Sequence, residues 1–99
     1  MSHDKGNREV YEEKVEAELE ELEDRIRLLI TKAKQSSAEA RIEAKKQMRR
    51  VKSTYEKAKK RIRNLQADSK LAWGEVQRGV DEAIHELQNS VEEAIEQFN

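Results

Sequence analysis

The sequence predicts an all-α protein, an antiparallel three-helix coiled coil or bundle. Three observations carry that reading. The 99 residues contain no Pro, and they are dominated by strong helix formers such as Ala, Glu, Lys, Leu and Arg. Apolar residues recur in steps of three and four, the spacing that lines up one face of a helix. Charge is segregated into blocks. Arg41 to Arg63 holds eleven Lys or Arg against two acids, a net of +9. Glu9 to Asp24 carries net −8 and Glu75 to Glu96 net −6.

Composition sets the scale. Only 35% of residues are hydrophobic and 41% are charged, against roughly 45–50% and about 25% in ordinary globular chains. That supports seams between helices and not a thick core. One small domain is the most such a chain can form. Without Cys there is no disulfide and no thiolate metal site. No apolar run approaches the ~20 residues of a membrane span, the longest being Leu28-Leu29-Ile30. Residues 1–7 show no hydrophobic signal region, so a soluble, unexported, cytoplasmic protein is expected.

Residues 1–7 read as a disordered tail, with Asn7 capping the helical domain of residues 8–99. In the first segment Val15, Leu19, Leu22, Ile26, Leu29 and Ala33 follow a heptad seam. Its early turns are acidic and its last turns basic, as the helix dipole favours. Leu28 and Ile30 widen the apolar stripe, which predicts contact with two neighbours. Near residues 35–37 the seam loses register, and Ser36 followed by Glu39 has the form of a capping box. A turn is expected there. The alternative is one long helix that continues through a stutter and folds back at about residue 67, as a helical hairpin that dimerises.

The middle segment carries Ala40, Ala44, Met48, Val51, Tyr55, Ala58, Ile62 and Leu65 on its seam. In an up-down-up arrangement, small Ala40 and Ala44 would face Leu29 and Ile30 on one side and Ile95 and Phe98 on the other. A second turn is expected at 67–69, where Asp68 or Ser69 is a fitting cap. The last seam runs Ala72, Val76, Val80, Ala83, Leu87, Val91, Ala94, Phe98, broadened by Leu71, Trp73, Ile84 and Ile95. Gly74 and Gly79 either weaken this helix by about 1 kcal/mol each or permit close packing. A basic middle helix between two acidic ones explains the charge map: its flanks complement both neighbours.

Ala72-Trp73, Val76, Gly79-Val80, Ala83 and Leu87 read as A-W-x-x-V-x-x-G-V-x-x-A-x-x-x-L. Together with Ser37-Ala38-Glu39-Ala40-Arg41, this resembles short bacterial coiled-coil domain-containing proteins of unknown function. The resemblance implies a soluble helical protein and carries over no catalytic residue.

The chemistry-bearing residues are few. Glu82 and His85 form Glu-x-x-His, half of the metal motif of di-iron bundles, but position 85 falls between seam residues and faces outward. Met1-Ser2-His3 has the form of an amino-terminal copper or nickel site that lasts only while Met1 is retained. Ser residues lack a His partner at a seam, and no Gly-rich phosphate loop occurs. The expectation is therefore a non-catalytic structural or protein-interaction module with no cofactor, no metal and no small-molecule substrate. Self-association as a homodimer or higher oligomer is expected, because so thin a core gains from burial between chains. The candidate interaction residues are Trp73 and the cations Lys45, Arg49, Lys52, Lys59, Lys60 and Arg63. Two other partners fit the same residues. One is a membrane surface, through amphipathic helices; the other is nucleic acid, through the basic helix 41–63. Against the latter, Tyr55 is the block's only aromatic and sits on the seam, away from any stacking surface.

Overall fold

The computed structural model describes residues 3–66 and 72–98. Three helices account for them: α1 (His3–Lys34), α2 (Ala38–Gln66) and α3 (Trp73–Phe98). They form a bundle measuring 57 × 20 × 17 Å. Contacts give the topology. Tyr55 on α2 meets Glu23 on α1 near mid-helix, while Ala44 and Ala33 share a pocket toward the connecting turn, so the two helices are antiparallel. Tyr11 meets Asp81, and Leu29 shares a groove with Ile95, so α1 and α3 are parallel. The path is up-down-up. No helix among the described residues is long and apolar enough to cross a membrane.

The first turn forms, which excludes the long-hairpin alternative. Its chemistry differs from the expected capping box by one residue. Ser37, not Ser36, is the cap: its Oγ accepts the Ala40 N–H at 3.3 Å. The Ser36 hydroxyl instead donates back to the Lys32 carbonyl at 2.8 Å, finishing α1. Arg41 reaches across the turn to the Lys34 carbonyl at 3.0 Å, satisfying one of the carbonyls a helix end leaves open. At the other end of the chain, the Ala72 carbonyl accepts from Glu75 and Val76, which starts α3 at Trp73. The expected turn at 67–69, with Asp68 and Ser69, lies outside the described residues. Helix α1 begins at His3, ahead of the Asn7 cap and inside the segment expected as a tail. The physical reason is that no Pro interrupts these residues and a single Gly6 costs only about 1 kcal/mol.

Burial follows heptads on all three helices. Val15, Leu22 and Leu29 on α1, and Ala44, Val51, Ala58 and Leu65 on α2, are buried at seven-residue intervals. Helix α3 buries three such rows: Val76, Ala83 and Ser90; Val80, Leu87 and Ala94; and Ile84 and Val91. The widest stripe thus belongs to α3. Helix α1 touches both neighbours, as its wide stripe predicts, although the broadening residues Leu28 and Ile30 remain 63% and 41% exposed. Ala40 is also exposed, in the first turn of α2, so it does not face Leu29 or Ile95. Ala44 is buried, one turn further on.

Candidate interaction face

Helix α2 presents two flanks, and its cations divide between them. On the α3 side, Arg50 pairs with Glu93, and Lys57 with Glu86 at 3.2 Å. Thr54 approaches Ser90 at 3.0 Å, and Ser90, wholly buried, donates to the Glu86 carbonyl at 2.8 Å. Ser90 continues the Ala83–Leu87–Ala94 spacing, a seam position that attention to apolar residues alone passes over. Arg61 lies along Gly79, where a Cβ would stand 3.5 Å from its guanidinium. This flank is stitched.

The opposite flank carries Lys45, Arg49, Lys52, Glu56, Lys59 and Arg63, spaced by alternating fours and threes so that they share one face. With Lys60 beside them, these are the cations singled out from the sequence. All six are exposed, and none joins an ion pair among the described residues. Lys59 lies over the Tyr55 ring at 5.4 Å. The structure therefore corrects the expectation that the basic helix neutralises both acidic neighbours. Among the described residues, ion pairs from α2 to another helix reach α3 alone. The pairs of α1 are internal to it, Arg25 with Glu21 and Arg27 with Asp24.

Along this flank α1 and α2 do not close. A groove of about 420 Å³ runs between them, floored by Ile26, Met48, Val51 and Tyr55 and edged by Ile30, Arg27 and Lys52. A second hollow of about 300 Å³ continues toward the turn, between Ala33, Lys34 and Arg41, Ala44, Lys45 and Met48. Ile42, 62% exposed, lies on the same face of α2 as Lys45. The result is an apolar trough with a cationic rim. At its inner end the Tyr55 hydroxyl donates to the Glu23 carboxylate at 2.5 Å. Burial, and then that bond, push the Tyr55 phenol up to about 12.

Trp73, the apolar candidate among the interaction residues, sits away from this flank, at the start of α3. It is half-buried against the core, Tyr11 meets it edge-to-face at 5.6 Å, and the Arg8 guanidinium lies over its ring at 4.6 Å. It closes the end of its own bundle. Tyr11 also donates to Asp81 at 2.5 Å and to the Gln77 carbonyl at 3.2 Å, and its phenol is strongly raised, first by burial and then by Asp81. Glu82 and His85 are both exposed on α3. No three His, Asp or Glu gather in one place among the described residues.

These features define a small three-helix bundle with one stitched flank and one open, apolar, charge-rimmed flank. Comparison with family models, curated proteins and solved structures gave no match to the chain.

Proposed function

We propose that the chain is a non-catalytic helical interaction module of coiled-coil type, working in the cytoplasm as a homo-oligomer. The observation that carries this is the α1–α2 trough, where Ile30 is exposed and Ile26 and Met48 are half-open beside Lys52, which joins no ion pair among the described residues. A monomer that had no partner for this flank would gain by closing it, since burial stabilises by roughly 25 cal/mol per Å². Membership of the short bacterial family that Ala72-Trp73 and its following seam resemble belongs to the same proposal. Sedimentation equilibrium tests it: a mass above 11.6 kDa that rises with concentration supports self-association. A strict monomer at all concentrations removes it.

A second reading is reversible docking on anionic lipid, favoured by exposed Leu28, Ile30 and Ile42 close to Lys32, Lys45 and Arg49. Flotation with anionic vesicles, against neutral ones, decides it. Protein left in the soluble fraction with both ends that idea.

A further inference from the structure

The open flank has a charge pattern along its length that singles out one partner. On α1 the residues of this face are Glu9, Glu13, Glu16, Glu20 and Glu23, followed by Arg27, Ile30 and Lys34. They too are spaced by fours and threes, and Glu23, Arg27, Ile30 and Lys34 demonstrably border the trough toward α2. Because α1 and α2 are antiparallel, Arg27 and Lys34 lie level with Lys45, Arg49 and Lys52, and Glu9 to Glu23 lie level with Glu56, Lys59 and Arg63. The half nearest the turn therefore carries net +5 along these two rows, and the far half net −4. The sign changes at the level of Glu23 and Lys52, where the apolar trough begins.

We infer that this face binds a second copy of the same chain, by a two-fold axis perpendicular to the bundle and close to Tyr55. This rests on the self-association proposed above and specifies its surface. A two-fold axis lays the two bundles antiparallel and sets the positive half of each against the negative half of the other. It lays the trough of each copy along the acidic half of the other, with the inner ends of the two troughs meeting at Tyr55. A patch that complements itself under a two-fold closes as a dimer. A parallel pairing would put like charges together at both ends. An external acidic helix would satisfy the cationic half and leave the acidic half of α1 against it unmatched.

A charge swap tests the geometry. One variant carries Lys45→Glu, Arg49→Glu and Lys52→Glu; the other carries Glu13→Lys, Glu16→Lys and Glu20→Lys. None of these six side chains joins an ion pair among the described residues, so both variants should keep wild-type helicity by circular dichroism. Each alone should dimerise about 100-fold more weakly than wild type in about 0.05 M salt, because both ends of its dimer now repel. Mixed one to one, the two should restore a dimer. As a second probe, Ile30→Glu, which sets a carboxylate in the trough against the partner's acidic half, should weaken dimerisation about 10-fold without unfolding the chain. If the wild type dimerises and either triple variant alone does so equally well, the interface lies elsewhere and the inference fails while self-association stands. Loss in each variant without restoration in the mixture overturns the two-fold register. A wild type that stays monomeric overturns both, and if it floats on anionic vesicles through Lys45, Arg49 and Lys52, the trough belongs to lipid.

Discussion

Gly79 sits where the Arg61 side chain crosses α3, and its neighbourhood decides what a substitution does. A Cβ there would lie 3.5 Å from Nη1 and 3.7 Å from Cδ of Arg61, ordinary contact with a flexible chain. Gly79→Ala should therefore stabilise by about 1 kcal/mol through helix propensity, raising Tm by roughly 4–8 °C in a thermal melt. A lower Tm would mean that Arg61 needs the bare backbone. The two tyrosines make the second prediction. Both hydroxyls donate to carboxylates, and both phenols are held above their ordinary value, Tyr55 at about 12. A phenol with a raised folded value stabilises fully below the unfolded value near 10 and loses that stability as pH climbs through the folded one. Wild type should thus weaken between pH 10 and about 12 more steeply than a Tyr11→Phe, Tyr55→Phe double variant, as read by denaturant melts across that range. Equal slopes would mean that the hydroxyls do not hold their carboxylates in solution.

Among the elements, α2 and α3 pair most intimately, while α1 lies along them with grooves on both sides. Leu87 on α3 is wholly buried, and Leu87→Ala should cost about 2–5 kcal/mol, a large share of the 5–15 kcal/mol typical of a whole domain. Leu28→Gln, on the exposed edge of α1, should change stability by no more than about 0.5 kcal/mol. Urea melts of the two would check the contrast; comparable losses would mean that Leu28 is covered in solution. The charges give a finer test. Arg50→Glu and Lys57→Glu break pairs to α3, and each should cost about 0.2–1 kcal/mol at low ionic strength, with the loss shrinking near 1 M salt. Lys60→Glu meets no such partner among the described residues and should have less effect. Ser37→Ala should cost about 1 kcal/mol by uncapping α2, whereas Ser36→Ala should cost less.

At the scale of the whole molecule, the bundle's 57 Å length exceeds the ~48 Å of its longest helix, the 32-residue α1 at 1.5 Å per residue, so the other elements extend beyond it along the axis. An antiparallel dimer through the open flank would widen the particle more than lengthen it. Small-angle scattering should therefore give a maximum dimension near that of the monomer and a larger cross-section. A dimension close to double would indicate end-to-end association instead. The fold class, three helices and the turn at 35–37 are legible in the heptads and in the loss of register after Ala33. Most of the candidate face is legible as well, since Lys45, Arg49, Lys52, Lys59, Lys60 and Arg63 stand out by charge alone. What stays hidden is which flank of α2 they occupy. A positive block beside two negative blocks matches either neighbour equally, and α3 takes Arg50 and Lys57 only because its wide stripe seats it deepest.

The sequence by itself determined the number of helices, their amphipathic faces and the segregation of charge, because these depend on spacing along one chain and on local chemistry at the ends. Only the tertiary structure decided that Ser37 rather than Ser36 is the cap, that Leu28, Ile30 and Ala40 stay exposed, and that the α1–α2 flank stays open. Those outcomes depend on where each helix begins and how far it rotates about its own axis. A rotation of a few tens of degrees moves a side chain from seam to solvent, and it is set by packing among all three helices at once.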